Sequence, residues 1–145
     1  MVTIKILKLD KELPTPHYKH DGDAGVDLYS AENHVLNAGE FKLIRTGIKI
    51  AIPYGYEVQV RPRSGLAAKY GISIVNTPGT IDCCYRGEIM VTLINLGKES
   101  YGVKRGERIA QAVLKKVETA EFVEVEELDE TDRGEGGMGS TGKFD

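Results

Sequence analysis

The sequence of 145 residues contains no tryptophan, only three phenylalanines and only two cysteines. Cys83 and Cys84 are neighbours, so they cannot join distant segments as structural disulfides do, and we expect reduced thiols. There is no second cysteine cluster and no protease-like histidine signature, which argues against zinc binding and cysteine catalysis. Stability must then come from a hydrophobic core, for which one domain of this length suffices.

Long apolar runs and an excess of basic residues are also missing. No stretch approaches membrane-spanning length, and Met1–Asp10 carries Lys5 and Lys8 where a signal peptide would be apolar. We therefore expect no membrane partner and a cytoplasmic location. The net charge is -3, and residues 118–132 hold eight acidic residues and no basic one, which argues against a nucleic-acid partner.

Glycine is abundant, at 17 residues, and it separates many short runs of valine, isoleucine, leucine and tyrosine. This pattern predicts an all-β sandwich or barrel. The predicted strands are Thr3–Leu9, Phe41–Thr46, Ile48–Ile52, Tyr56–Arg61, Ile72–Val75, Ile89–Ile94, Glu107–Leu114 and an edge strand Phe122–Glu127. Pro53–Gly55 is predicted to be a hairpin turn and Leu96–Lys104 a turn, and Leu13–Asp23 is predicted to be a loop with solvated polar residues.

One short helix is predicted, with Ser64 as its N-cap, Leu66–Tyr70 as its body and Gly71 as its C-terminal stop. Its N-terminus beside Arg63 could bind an anion, although capping alone would explain Ser64 equally well. Gln111 lies between apolar neighbours in a predicted strand, so it needs a polar partner such as a phosphate or a backbone group.

The stretch Asn76–Met90 joins two predicted strands and is interpreted as a hairpin. It carries Asp82 and Tyr85 three residues apart, on a segment whose bends expose backbone polar groups that could read a flat heterocycle. Taken alone, Asp82 is more simply a turn residue. Asp27 follows small residues; it could mark a strand entry or help to hold a hydrated Mg²⁺ near a phosphate site.

The glycine-rich end, Arg133–Lys143, cannot contribute to a core, and its composition alone would indicate a disordered tail. Glycine backbone with arginine and hydroxyl side chains is, however, also suited to wrapping phosphates. We therefore divide the chain into a β domain of residues 1–132 and a flexible glycine-rich arm of residues 133–145, for which phosphate binding is one of the two interpretations.

Five motifs in this order resemble, nearly end to end, the homotrimeric all-β dUTP pyrophosphatases (dUTPases). They are Ala-Gly-Val-Asp-Leu from Ala24, Pro-Arg-Ser-Gly from Pro62, Gly-Thr-Ile-Asp-Cys-Cys-Tyr-Arg-Gly-Glu from Gly79, Arg-Ile-Ala-Gln from Arg108, and the tail from Arg133. The resemblance implies a jelly-roll-like subunit, a homotrimer with active sites at subunit interfaces, and Mg²⁺ as cofactor. It also implies hydrolysis of dUTP to dUMP and pyrophosphate.

The resemblance further implies a role for each residue of the site. Asp82 would be the general base for a water that attacks the α-phosphorus, with Arg63 and Gln111 as its catalytic partners. Uracil would be held by Asn76, Thr80, Ile81 and Met90, and Tyr85 would pack under the deoxyribose. Phosphates would meet Arg63, Ser64, Gly65 and Gln111, Asp27 would act near Mg²⁺ through water, and the tail with Arg133, Met138, Gly139, Ser140 and Thr141 would close over the nucleotide.

The sequence departs from the family pattern at two places. Met138 stands where the family usually has a phenylalanine that stacks on uracil; a thioether can still cover the base, with about 1 kcal/mol less specific contact. Cys83-Cys84 stands where an acidic residue is common beside the catalytic aspartate.

Two other functions fit parts of the pattern. A dCTP deaminase shares the fold but needs a further acid/base, for which Glu88 is available. A regulatory protein that binds dUTP without turnover would not need Asp82.

Overall fold

The computed structural model describes residues 1–138 and 141, which form eleven β-strands and one short α-helix. The strands are β1 (Lys5–Lys8), β2 (Val26–Tyr29), β3 (His34–Leu36), β4 (Phe41–Arg45), β5 (Ile48–Ala51), β6 (Tyr56–Arg61), β7 (Ile72–Ile74), β8 (Gly79–Ile81), β9 (Met90–Asn95), β10 (Tyr101–Val103) and β11 (Arg108–Lys116), and the helix is α1 (Ser64–Tyr70). The predicted all-β fold with one short helix is confirmed.

Four antiparallel sheets pack around a single hydrophobic core. The largest has the strand order β2-β11-β6-β8, the next has the order β4-β9-β7, and two further pairs are β1-β5 and β3-β10. None of these four sheets closes on itself. Of the two architectures that the sequence allowed, the sandwich is therefore correct and the barrel is not.

The period-2 alternation of the predicted strands places their apolar residues in the core. Ile48 and Ile50 of β5 are buried, whereas the residues between them and after them are only partly covered. β11 departs from simple alternation, because its pairing with β2 shifts between Arg108 and Ala110. This bulge leaves Ile109 and Ala110 both buried, which the sequence pattern did not predict.

Three predicted connections differ from the structure. Pro53–Gly55 joins β5 to β6, but these strands lie in different sheets, so the turn is not a hairpin. Leu96–Lys104 contains β10, which pairs with β3 and is more than a turn. Within Asn76–Met90, the flanking strands β7 and β9 do pair, yet β8 leaves them to join β6 in the other sheet. Local turn signals do not reveal which sheet the next strand enters.

Helix α1 begins differently from the prediction and ends as predicted. Arg63 is the N-cap residue and makes no side-chain capping hydrogen bond, so the prediction of Ser64 as N-cap is wrong. Gly71 ends the helix in the left-handed conformation, with φ 71°, and its N–H bonds back to carbonyls of the last turn. The described residues contain no helix that is long and apolar enough to span a membrane.

The predicted edge strand Phe122–Glu127 is wrong, because these residues form no strand in the structure. Phe122 is 97% exposed and Val123 is 72% exposed. The alternation of glutamate with apolar residues is typical of a strand, but a strand also needs a neighbour with free backbone groups, and within the described chain this segment pairs with none.

Asn95 is fully buried at the end of β9 and holds two loops in place. Its Nδ2 donates to the carbonyl oxygens of Leu36, at 2.9 Å, and Glu99, at 2.8 Å. Its Oδ1 accepts from the backbone N–H of Gly97 at 2.9 Å. One amide side chain thus satisfies three backbone groups, of which the Leu36 carbonyl is buried and the other two are partly buried.

We expect Asn95→Ala to lower the free energy of unfolding by about 2–4 kcal/mol, because it leaves these backbone groups without partners and opens a small cavity. Urea denaturation at equal protein concentration measures the change. Asn37→Ala is the matched control, since Asn37 is exposed and its loss should cost under about 1 kcal/mol. Equal losses in both variants would contradict this account.

Candidate functional site

The carboxylate of Asp27 lies between two arginines from distant parts of the chain. Its Oδ1 accepts from Nε of Arg63 at 2.9 Å, and its Oδ2 accepts from Nη1 of Arg108 at 3.1 Å. Nη1 of Arg63 also donates to the backbone carbonyl of Arg108 at 3.1 Å. All three side chains remain partly exposed. Two guanidinium groups against one carboxylate leave an excess of positive charge, which suits an anionic ligand.

Gln111 lies next to these residues because of the register in which β11 pairs with β2 and β6. It lies opposite Asp27 of β2 on one side and opposite Arg61 of β6 on the other. Its Nε2 donates to the carbonyl of Pro62 at 3.0 Å, which is the polar partner that the sequence required. Ser64 is exposed at the start of α1, directly after Arg63, as is Gly65. We refer to Asp27, Arg63, Arg108 and Gln111 as the Asp27 cluster.

Residues 13–25 form a loop beside the cluster. A Cβ on Gly25 would lie 3.0 Å from Cγ2 of Val113 and 3.1 Å from Oε1 of Gln111, so a larger residue would press on β11 and glycine suits this close approach. The loop and the cluster enclose two polar cavities of about 410 and 260 Å³. His17 and Lys19 line both cavities, and the sequence analysis had treated this loop as merely solvated.

Glu107 lines the larger cavity, and its carboxylate is already hydrogen-bonded. The hydroxyl of Tyr101 donates to its Oε1, and the backbone N–H of Lys104 donates to its Oε2 at 3.0 Å. Burial raises the pKa of Tyr101, and the hydrogen bond to Glu107 raises it further. The phenol therefore stays protonated at neutral pH and remains a donor to Glu107.

The remaining predicted residues lie between the end of β7 and the first residue of β9, on residues 75–90. We call this segment the excursion, because its strand β8 pairs in the other sheet. Ile81 is buried in β8, while Thr80 beside it is exposed, as is Asn76. A Cβ on Gly79 would come within 3.4 Å of Nδ2 of Asn76, so the amide lies over the start of β8. Met90, the first residue of β9, is 41% exposed. Exposed backbone and side-chain groups thus line one side of this segment.

Asp82 begins a β-turn that ends at Tyr85, whose N–H donates to the Asp82 carbonyl at 3.1 Å. The Asp82 side chain is exposed. The phenol of Tyr85 donates to the Glu88 carbonyl at 3.0 Å and packs over Gly87. A Cβ at Gly87 would lie 2.2 Å from the Tyr85 hydroxyl oxygen, so a glycine is required for this orientation of the ring.

The side chain of Glu88 anchors the end of the excursion to the rest of the fold. Its Oε1 accepts from the backbone N–H of Gly47 at 2.9 Å, and its Oε2 accepts from Nε of Arg45 at 3.1 Å. Only 12% of the side chain is exposed. Glu88 therefore has a structural role between β4 and β5 and is not a free acid or base.

Asp82 and the Asp27 cluster are far apart within one chain. In the four-stranded sheet, Asp27, Gln111 and Arg61 lie in one row, whereas Asp82 follows Ile81, which pairs with Val58. Asp82 is therefore four residues from the row of Asp27 along the strands, which is about 13 Å, and three strand spacings from β2, which is about 14 Å. The resulting distance from Asp27 to Asp82 is about 20 Å. A single phosphorus cannot lie beside both groups of the same chain.

The C-terminal segment contacts neither group within the described residues. Nε of Arg133 donates to the carbonyl of Gly136 at 2.8 Å, in a local turn. The side chain of Met138 is fully exposed, and Thr141 is exposed as well. Gly139 and Ser140 lie outside the described residues.

The chain offers little for direct metal coordination. Among residues 1–138 and 141, no three His, Cys, Asp or Glu side chains come together as a metal site. Asp27 is the acidic residue of the cluster, and both of its oxygens are bound by arginines. Direct coordination by Asp27 is therefore disfavoured, and a hydrated Mg²⁺ held mainly by phosphate oxygens would fit this arrangement better.

Comparisons with known proteins agree with this fold and these motifs. The family model described as dUTPase matches residues 11–142. The deoxyuridine 5'-triphosphate nucleotidohydrolase of Corynebacterium glutamicum is 57% identical over 144 residues, which are 99% of this chain and 97% of that protein.

Two solved structures are similar along most of the chain. A Staphylococcus bacteriophage 80alpha dUTPase with dUPNHPP has a TM-score of 0.89 at 32% identity, covering 97% of this chain and 98% of that one. A mutant dUTPase from phage phi11 of S. aureus, described as coordinating a structural Mg(II) ion, has a TM-score of 0.80 at 27% identity, covering 86% and 97%. The chain therefore belongs to the dUTPase family.

Proposed function

We propose that this protein hydrolyses dUTP to dUMP and pyrophosphate at sites that are shared between the subunits of a homotrimer. The observation that carries the proposal is the separation of about 20 Å between Asp82 and Asp27 of one chain, which follows from the strand register. Asp82 is exposed and the residues of the Asp27 cluster are partly exposed, and both groups lie within the residues that the dUTPase family model matches. A second copy of the chain can bring its own Asp82 to the cluster, which one chain by itself cannot do.

The uracil ring binds along the excursion from β7 to β9, where Asn76, Thr80, Ile81 and Met90 offer backbone and side-chain groups. The pairing edge of uracil reads acceptor, donor, acceptor, which a strand backbone can match. Cytosine reverses two of the three and would leave buried groups unpaired, at about 1–3 kcal/mol each. Tyr85 packs under the deoxyribose, where its ring fills the space of a 2′-hydroxyl.

The triphosphate binds at the Asp27 cluster, where Arg63 supplies positive charge and Ser64, Gly65 and Gln111 supply hydrogen-bond donors. Mg²⁺ bound with the nucleotide would neutralise charge on the phosphate oxygens. The arm of residues 133–145 then closes over the nucleotide. In that arm Arg133, Gly139, Ser140 and Thr141 contact phosphates and Met138 covers the base.

The exposed carboxylate of Asp82 takes a proton from a water whose oxygen attacks the α-phosphorus. The bond from the α-phosphorus to the bridging oxygen breaks, and pyrophosphate leaves in line with the incoming water. Arg63 and Gln111 stabilise the charge that develops on the phosphate oxygens. The deaminase alternative needs a free acid/base near the base, and the anchoring of Glu88 by Gly47 and Arg45 argues against it.

Asp82→Asn should leave dUTP binding nearly unchanged and reduce kcat by about 10²–10⁴-fold, because it removes the base but keeps a polar side chain of similar size. Pyrophosphate release measures turnover, and a non-hydrolysable dUTP analogue measures binding. Asp129→Asn, in the exposed acidic segment, is the control and should be fully active. Near-normal turnover of Asp82→Asn would remove Asp82 from this role.

Gly87→Ala should reduce the ratio of kcat/KM for dUTP over UTP, by about tenfold or more, because the new Cβ displaces the Tyr85 ring. Tyr85→Ala should change the ratio in the same direction. Gly102→Ala is the matched control, since a Cβ there meets nothing within 4 Å. An unchanged dUTP-to-UTP ratio in both site variants would reject this placement of Tyr85.

A mixture of two inactive variants tests the shared site. The Asp82→Asn chain has an intact Asp27 cluster, and the Arg63→Ala chain has an intact Asp82. A trimer that contains both chains therefore has one subunit interface, out of three, at which an intact Asp82 meets an intact cluster. Random mixing in equal amounts makes about three quarters of the trimers mixed, which predicts about a quarter of wild-type activity at saturating dUTP.

The two variants are unfolded together and refolded, and separately refolded samples set the baseline. Size-exclusion chromatography with one tagged variant shows that mixed assemblies have formed. No gain in activity from such assemblies would mean that Asp82 serves the cluster of its own chain.

A further inference from the structure

Lys19 lies outside the five dUTPase motifs, yet it faces the region where the triphosphate is proposed to bind. It lines both polar cavities together with Asp27, Arg63 and Arg108. Lys19 is exposed, and within residues 1–138 and 141 its ammonium group takes part in none of the ion pairs. A lysine that is placed beside two arginines without a carboxylate of its own adds to their charge repulsion. This arrangement is understandable if an anion occupies the cavity.

The backbone around Lys19 is held in place by short-range contacts. The carboxylate of Asp23 accepts from the backbone N–H of His20 at 2.9 Å, and the N–H of Asp23 donates to the His20 carbonyl at 3.2 Å. On the other side, Nδ1 of His17 donates to the Thr15 carbonyl at 3.0 Å. Gly25 also packs directly on β11. The backbone is therefore held by contacts both before and after Lys19 in the chain.

The charges that face the two cavities leave Lys19 as the available cation. Three carboxylates line them, but each is engaged: Asp27 holds Arg63 and Arg108, Glu107 holds Tyr101 and the backbone of Lys104, and Asp23 holds the backbone of His20. A polyphosphate that binds the arginines has to share them with Asp27, which takes Nε of Arg63 and Nη1 of Arg108. Lys19 is not shared in this way, since in the described chain it pairs with no carboxylate.

We propose that Lys19 is a polyphosphate-binding residue, and that the loop of residues 13–25 forms a wall of the phosphate site. Asp23 is a positioning residue that holds the turn carrying Lys19. The inference rests on the proposed function for the identity of the nucleotide, but the ligand chemistry it needs is only a chain of phosphates.

Lys19→Met tests this, because methionine has a similar length and no charge. The KM for dUTP and the inhibition constant of inorganic tripolyphosphate should each rise about five- to tenfold, with kcat within about twofold of wild type. Inhibition by deoxyuridine, which has no phosphate, should be unchanged. Lys11→Met is the matched control: Lys11 belongs to the preceding turn and lines neither cavity, so all constants should stay within about twofold.

A second pair of variants separates the charge of Asp23 from its hydrogen bond. Asp23→Asn keeps an acceptor for the His20 N–H and removes a negative charge, so tripolyphosphate should bind as well as in wild type or more tightly. Asp23→Ala loses the acceptor and should weaken tripolyphosphate binding about two- to fivefold. Equal affinities in the two variants would remove the positioning role of Asp23.

Calorimetric titration with tripolyphosphate measures the binding affinities of wild type and Lys19→Met directly, without any need for turnover. If the wild type releases no pyrophosphate from dUTP, the proposed function fails, and the titration still tests Lys19. An affinity of Lys19→Met within twofold of wild type overturns the inference. An equal loss of deoxyuridine binding also overturns it, because Lys19 would then support the shape of the whole site.

Discussion

The ion pairs of Asp27 with Arg63 and Arg108 are the interaction on which the site depends. They join β2, the start of α1 and β11, which lie far apart in the sequence. Without the carboxylate, two guanidinium groups at this distance would repel each other, and without the arginines the carboxylate would repel a phosphate. The pairing keeps both arginines near the cavity and partly exposed. Gln111 of β11 lies opposite Asp27, and Gly25 lets the preceding loop pack against β11 beside it.

The register of the four-stranded sheet also separates Asp82 from the Asp27 cluster within one chain. β8 pairs with β6 so that Asp82 lies at the opposite end of the strands from Arg61. Glu88 and the β-turn at Asp82 shape the segment from β7 to β9 locally, and strand pairing brings the Asp27 cluster together. In the proposed function these two surfaces bind the base and the phosphates, and symmetric assembly is the simplest way for both to meet one nucleotide.

Residue patterns predicted most of the strands, because burial on one face imposes a period of two on β5, β6 and β9. They predicted the end of α1, because Gly71 supplies the left-handed conformation. They failed at Phe122–Glu127, where the pattern of a strand is present without a pairing neighbour, and at β11, where a bulge broke the alternation. They gave Arg108 as the first residue of a motif without its pairing to Asp27, and they did not single out Lys19, since neither contact follows from the sequence until the strands are paired.

The sequence by itself determined the fold class, the family and the identity of the motif residues, because these follow from local periodicity and from residue types at set spacings. Only the tertiary structure decided which motifs share a surface. It showed that Arg63 and Arg108 both pair with the carboxylate of Asp27, and that Glu88 binds Gly47 and Arg45. It also showed that Asp82 lies far from Asp27 within one chain. The physical reason is that strand pairing and register depend on contacts between residues distant in the chain, and no local pattern encodes which edges will meet.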